Sequence, residues 1–247
     1  MSWKMITIIG TGHVFRIAEP VSFIVKNIWP QAVLVELDPR RYAALTAPAP
    51  PIKPVDDGMK NLPKTYRRSA KYQNRVSEEN RTETGGELLA AINTANMIRA
   101  EVVCIDLDAE QNMKEMEAEM PFWESKRLGF SMMSDSLFGM RKVGKTQNDF
   151  MKDESGYMAD MRRKYPTFIR KLIDERDAHM ARRIIEESAR FDNMVVVVGD
   201  AHVEGICAKL GDLKVNKIRL ADLLDPERLE KVKDAVWNDE LGKEHDS

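Results

Sequence analysis

Two of the chain's four histidines stand in the same local setting. Ile8-Ile9-Gly10-Thr11-Gly12-His13-Val14 parallels Val197-Val198-Gly199-Asp200-Ala201-His202-Val203, each an apolar run followed by Gly-x-x-His-Val. Two further apolar runs end in acids, Val35-Glu36-Leu37-Asp38 and Cys104-Ile105-Asp106-Leu107-Asp108. A carboxylate at the end of a buried strand is costly unless it is paired, hydrogen-bonded or bound to a metal. Two histidines with one or two carboxylates are a donor set for Zn²⁺ or Mn²⁺ that leaves a coordination position for water. A metal held in that way makes its water a nucleophile near neutral pH. Glu175-Arg176-Asp177 with His179 forms a dense polar cluster whose guanidinium could hold a substrate carboxylate or a developing oxyanion. The plainer readings are histidines that cap helices and a charged run that faces water. Repetition of the histidine motif in so His-poor a chain favours the functional reading.

Such residues need strand ends and helix starts to position them. Met5–Ile9, Ala32–Glu36, Val102–Leu107, Met194–Gly199 and Val215–Leu220 are short apolar runs, several of them rich in Val and Ile. Most do not alternate with polar residues, which is how strands buried on both faces of a parallel sheet read. Between them, Gly86–Arg99 and Tyr165–Arg190 carry helical periodicity. The second of these stretches has Phe168, Leu172, Ile173, Met180, Ile184 and Ile185 on one stripe, with Pro166 tolerated near its start. Strands alternating with helices predict an α/β fold, a central and mainly parallel sheet flanked by helices. In such sheets ligands gather beyond the carboxyl ends of the strands, and glycine there lets backbone approach a ligand closely. Val203, Ile206, Cys207 and Leu210 predict a helix with His202 at its N-terminal edge. Val14, Ile17, Ala18 and Val21 repeat that spacing after His13, with Pro20 delaying the regular helix.

Composition narrows the class. Within 247 residues, 43% are hydrophobic, enough for a sizeable core, so global disorder is excluded. A net charge of −2 argues against a dedicated nucleic-acid binder. No apolar run approaches the ~20 residues of a membrane span, and the start of the chain lacks the features of a signal peptide. Cys104 and Cys207 make no disulfide framework. These features predict a soluble cytoplasmic protein, with a homo-oligomer left open.

Two stretches interrupt the α/β pattern. Residues 46–63 hold five prolines, and residues 60–75 carry six Lys or Arg with no acid. A solvated loop or helix accounts for the basic stretch, contact with nucleic acid or anionic lipid being the alternative. Residues 109–162 are Met-rich: Met113, Met116 and Met120, followed by Phe122 and Trp123, lie at helical spacing. Ordinary packing explains them, with a lid or a docking surface as alternatives, because Met adapts to irregular apolar partners. The organisation expected is one α/β domain over 1–225 with insertions at about 46–84 and 109–162, then a helix from Pro226 to Leu241 and a polar tail within 226–247. Gly139–Thr146 fits G-x-x-x-x-G-K-[ST], a phosphate-binding loop. No buried strand precedes it and a polar run follows it, so a basic surface turn is the better reading.

The motifs IIGTGHV, VELDPRRY, GGELLAAI, DERDAHMA and VVGDAHVEGI, in that order, resemble the TraB/PrgY pheromone-shutdown family. That family belongs with the TIKI proteases, the erythromycin esterases and the haem-binding ChaN proteins. The resemblance covers about residues 6–45, 84–124 and 155–222. It implies an erythromycin-esterase- or ChaN-like sheet and a hydrolase-like site of two Gly-x-x-His motifs, an acid and an arginine. His13 and His202 match the histidines, Glu36 and Arg41 the acid and arginine of the second motif, and Glu175 and Arg176 the helical motif. The implied roles are His13, Glu36 and His202 as ligands of Mn²⁺, Co²⁺ or Zn²⁺ or as activators of water. Arg176 and Arg41 would hold substrate, and Glu175 would orient Arg176 or a histidine. The implied reaction is hydrolysis of a peptide, or of another small ester or amide. The alternative is a regulatory protein that sequesters a peptide or signal without cleaving it. The chain departs from the family pattern at Phe15, Asp200 and Glu204, the two acids making the mouth of the site more negative. Its end, as given, carries no membrane span.

Overall fold

The computed structural model describes residues 5–12, 15–47, 85–137 and 154–238. His13, the basic stretch at 60–75 and Gly139–Thr146 lie outside the described residues. The chain divides into two compact units. One is drawn from Met1–Lys53, Tyr72–Asp108 and Arg176–Ser247, the other from Pro54–Lys71 and Ala109–Glu175.

The first unit is the predicted α/β sheet. Its elements are β1 (Met5–Thr11), α1 (Ala18–Ile28), β2 (Ala32–Val35), α2 (Pro39–Thr46), α3 (Gly86–Ile98) and β3 (Glu101–Cys104). The helices α4 (Ala109–Glu119), α5 (Phe122–Leu137), α6 (Glu154–Lys164) and α7 (Pro166–Ile169) come next in the chain, and α8 (Glu175–Glu187), β4 (Asn193–Gly199), α9 (Asp200–Cys207), β5 (Val215–Ile218), α10 (Leu220–Leu224) and α11 (Pro226–Trp237) follow them. Of the helix expected over Pro226–Leu241, the last residues lie outside the described chain. All strand pairs are parallel, in the order β3-β2-β4-β1-β5. The Val/Ile runs read as doubly buried strands because they are. Val33, Val35, Val195, Val197 and Ile9 face a layer made by α1, α3, α10 and α11. The alternate residues Ala32, Leu34, Met194, Val196, Val198, Ile6 and Ile8 face α8 and α9.

This alternation puts Glu36, next in phase after Ala32 and Leu34, on the side covered by α8 and α9. The connection leaving β2 leads to β3, whereas that leaving β4 crosses β1 to reach β5. The two diverge on opposite faces of the sheet, so a crevice opens between the carboxyl ends of β2 and β4, the usual ligand position in such folds. Pro20, within the first turn of α1, is tolerated there because that N–H has no helical partner.

The second unit contains α4 (Ala109–Glu119), α5 (Phe122–Leu137), α6 (Glu154–Lys164), α7 (Pro166–Ile169) and a π-helical turn, Arg170–Asp174. Met116, Leu128, Tyr165 and Ile169 are buried in it. Asn112 Nδ2 donates to the Lys171 carbonyl at 3.0 Å, and the Phe168 N–H to Glu124 Oε1 at 2.9 Å. Lys171 is buried among Glu119, Glu175 and Glu115, at 2.9, 3.0 and 3.2 Å, and these carboxylates hold its ammonium well above its ordinary range. The stretch expected as one long helix is helical without interruption from Pro166 to Glu187, with a π-helical turn at Arg170–Asp174. The sheet-facing arc of α8 is made by Asp177, Met180, Ala181 and Ile184, which leaves Ile185 at its edge and 43% exposed.

Candidate functional site

Glu36 follows β2, Asp106 follows β3, Arg176 and Asp177 open α8, and His202 sits in the first turn of α9. These side chains meet at the carboxyl end of the sheet within the first unit. Arg176 is the hub. Its Nε and Nη2 donate to the two oxygens of Asp106 at 2.9 and 2.8 Å, a two-pronged match of planar groups. Nη2 also donates to Glu36 Oε1, and Nη1 lies 3.2 Å from His202 Nε2. Glu36 Oε2 accepts the Gly199 N–H at 2.5 Å, tying the end of β2 to the turn after β4. Arg41 Nη1 reaches Asp106 Oδ2 at 3.2 Å from α2, whose N-cap Asp38 accepts the N–H groups of Arg40 and Arg41. Burial works against the charge of Arg176, but Glu36 and Asp106 overcome it and hold the guanidinium above its already high ordinary value.

A permanent cation fixes the proton on His202. Arg176 can only donate, so Nε2 accepts, and the ring proton sits on Nδ1. Nδ1 donates to Asp177 Oδ1 at 2.6 Å, with both side chains no more than 5% exposed. The imidazole thus presents its lone pair toward Arg176 and Glu36, whose Oε1 lies 3.5 Å from Nε2. A carboxylate behind Nδ1 selects this tautomer.

The structure brings Glu36, Arg41, Arg176 and His202 together. Glu175 ends the second unit, where it pairs with Lys171 and with Arg170. Asp106 and Asp177 are the two members that the choice of candidate residues missed. Asp106 is visible in the sequence only as one of several strand-end acids, and Asp177 is hidden in a charged run that reads as solvated. His179, two residues on, is lowered from its ordinary value by burial and by Arg182, with Asp106 opposing.

Two expectations about the second Gly-x-x-His motif change. Asp200 and Glu204 do not leave the mouth negative. Arg219, carried beside them by β5, donates to Asp200 Oδ1 and Oδ2 at 2.9 and 2.8 Å and to Glu204 Oε1 at 3.0 Å, and Lys217 adds a second cation at Glu204. Gly10 is needed for space: a Cβ there would lie 2.1 Å from Asp200 Oδ1. It makes room for the acid of the partner motif, the same acid that accepts the Leu220 N–H at 2.8 Å.

Among the described residues, no group of three or more His, Cys, Asp or Glu could hold a metal ion. The place between Glu36 and Asp106 is filled by a guanidinium, and a dication set there would face that fixed charge. Glu36 and His202, the two described members of the metal set expected from the sequence, both contact Arg176, and the third, His13, lies outside the described residues.

The fold and site define a class of α/β protein, a parallel sheet with a buried acid–arginine–histidine cluster at its switch point. Residues 3–221 match the profile of the TraB/PrgY/gumN family, and the chain belongs to that family. It is similar to the uncharacterized protein MJ1365 of Methanocaldococcus jannaschii, 29% identical over 236 residues. That alignment takes in 92% of this chain and 58% of the relative, so the chain spans little more than half of the protein it matches. No helix among the described residues is long and apolar enough to cross a membrane.

Proposed function

We propose that this chain is a hydrolase of peptide bonds, or of a related amide or ester, driven by His202 rather than by a metal. The observation that carries the proposal is the chain Asp177–His202–Arg176, a tautomer-fixed imidazole with a guanidinium at its free nitrogen. Water entering the site replaces Arg176 Nη1 at Nε2. His202 takes a proton from that water as its oxygen adds to the substrate carbonyl, and later gives the proton to the leaving nitrogen. Arg176, freed from Nε2, faces the oxyanion, while Asp106 and Glu36 keep its plane fixed. Asp177 offsets the charge on the imidazolium. Arg41, 37% exposed at its side chain, is placed to meet a substrate carboxylate.

The second reading is sequestration without cleavage, and one observation favours it: in the described site the free nitrogen of His202 is already engaged by Arg176. The experiment that separates the two readings incubates the purified chain with a mixed peptide pool and follows products by mass spectrometry. It is run with chelator and, separately, with Mn²⁺, Co²⁺ or Zn²⁺. Chelator-resistant cleavage that His202→Ala abolishes is the expected result. Retention without cleavage establishes sequestration, and cleavage only with added metal overturns the arginine-based site.

A further inference from the structure

The first nine residues of α5 carry an arrangement that the site does not use. At about 100° per residue, Phe122, Lys126, Phe130, Trp123 and Arg127 fall in that angular order on one arc of about 140°. All five are exposed, the aromatics strongly so: Phe122 77%, Phe130 74% and Trp123 51%. The opposite arc is buried and holds Glu124 and Leu128. The helix is therefore seated on its Glu124/Leu128 side and turns an aromatic and cationic side outward. The cations lie against the rings, Lys126 Nζ at 5.2 Å from the centroid of Phe122 and the Arg127 guanidinium at 5.3 Å from that of Trp123. Arg127 also donates to the Lys164 carbonyl at 3.4 Å.

We infer that this face of α5 docks on an anionic lipid surface. Large exposed aromatics cost free energy in water unless something covers them part of the time. The charge on the arc selects what covers it: both ionised side chains are cations, and the nearest acid on the helix, Glu124, is turned inward. A helix arc with aromatic and basic residues interleaved fits a planar, deformable partner. Aromatic rings that enter the headgroup boundary, with Lys and Arg stems reaching the phosphates, are the composition of interfacial helices. The binding is peripheral and calls for no membrane-spanning helix.

The test is co-sedimentation of the full chain with vesicles of phosphatidylcholine alone and of phosphatidylcholine with phosphatidylglycerol. The expected result is partition onto the anionic vesicles only, weakened at high salt, with a blue shift in emission that Trp123→Phe removes. The double variant Phe122→Ser/Phe130→Ser should lose binding. Lys126→Gln/Arg127→Gln should weaken it by roughly thirtyfold, about fivefold for each basic residue being the first-order share. All these positions are exposed, and an unchanged thermal melt confirms that each variant folds. Absence of partition at millimolar lipid overturns the inference, as does equal partition by the variants. A dimer that Phe122→Ser/Phe130→Ser dissolves would assign the face to a second copy. Retention on poly-glutamate but not on vesicles would assign it to an acidic protein.

Discussion

Replacing Gly205 by Ala tests whether the Asp177–His202 pair is held as rigidly as its geometry implies. Gly205 lies on α9 between His202 and the apolar anchor Ile206, and α9 runs beside the start of α8. An alanine Cβ would fall 1.8 Å from Asp177 Oδ2 and 2.7 Å from its Cγ, so the carboxylate has to move. Asp177 is buried on a short side chain, and moving it breaks its 2.6 Å bond to His202 Nδ1. A hydrogen bond to a charged group contributes about 1.5–3 kcal/mol and crowding of a packed interior costs about 1–3 kcal/mol. Alanine's better helix propensity returns about 1 kcal/mol, which leaves a net loss of roughly 1.5–5 kcal/mol. Urea unfolding monitored by circular dichroism measures it. Asp177→Ala removes the bond and the obstruction together, so the double variant should be less destabilised than the sum of the singles by about 1–3 kcal/mol. A Gly205→Ala protein as stable as the parent, or strictly additive singles, would refute the claim that this pair is locked.

Arg176→Met leaves Glu36 and Asp106 buried without their shared cation. Chemical denaturation should register a loss of about 3–5 kcal/mol. Asp38→Ala removes the cap that accepts from Arg40 and Arg41 and should cost about 1 kcal/mol, read from the same titration. Burial holds His179 below its ordinary 6.5, so the unfolded chain takes up a proton that the folded chain resists. Stability therefore falls as pH drops through the range just below that value, and urea midpoints collected from about pH 7 to about pH 5 should show this limb flattened in His179→Gln. Burial first, with Asp38 adding at Cys104, pushes both thiols up, so Cys104 and Cys207 should react with a disulfide reagent at neutral pH more slowly than free cysteine.

The strands were legible because a run such as Met194–Val198 has no polar face, and only a strand covered on both sides tolerates that. Their order was not legible. Nothing in the Val/Ile runs says that β4 lies between β2 and β1, and that adjacency is what sets Glu36 beside Gly199 and His202. His202 stood out through the repeated Gly-x-x-His motif, Glu36 as a strand-end acid and Arg176 in a dense polar cluster, and the family resemblance added Arg41. Asp106 and Asp177 did not, since a strand-end acid and a member of a charged run become meaningful only when a partner arrives from elsewhere in the chain. Asp200 illustrates the converse: its sequence neighbours suggest a negative mouth, but Arg219 comes from beyond the next strand to neutralise it. The π turn at Arg170–Asp174 was hidden because the apolar periodicity around it continues nearly unbroken, and Ile185 was misplaced on that account.

The all-parallel sheet also has a kinetic consequence for the cluster it supports. Arg176 meets Asp106 across 70 residues of chain and Glu36 across 140, and Glu36 reaches Gly199 across 163. No hairpin brings any of these groups together early, and each contact waits for a long loop to close. The cluster is thus among the last contacts to form and among the first to be lost. Substitutions within it should raise the unfolding rate and leave the refolding rate nearly untouched. Chain ends emerging from synthesis or cut by proteolysis would carry strands without the site, so His202 reaches Arg176 and Glu36 only once β4 has been inserted between β1 and β2.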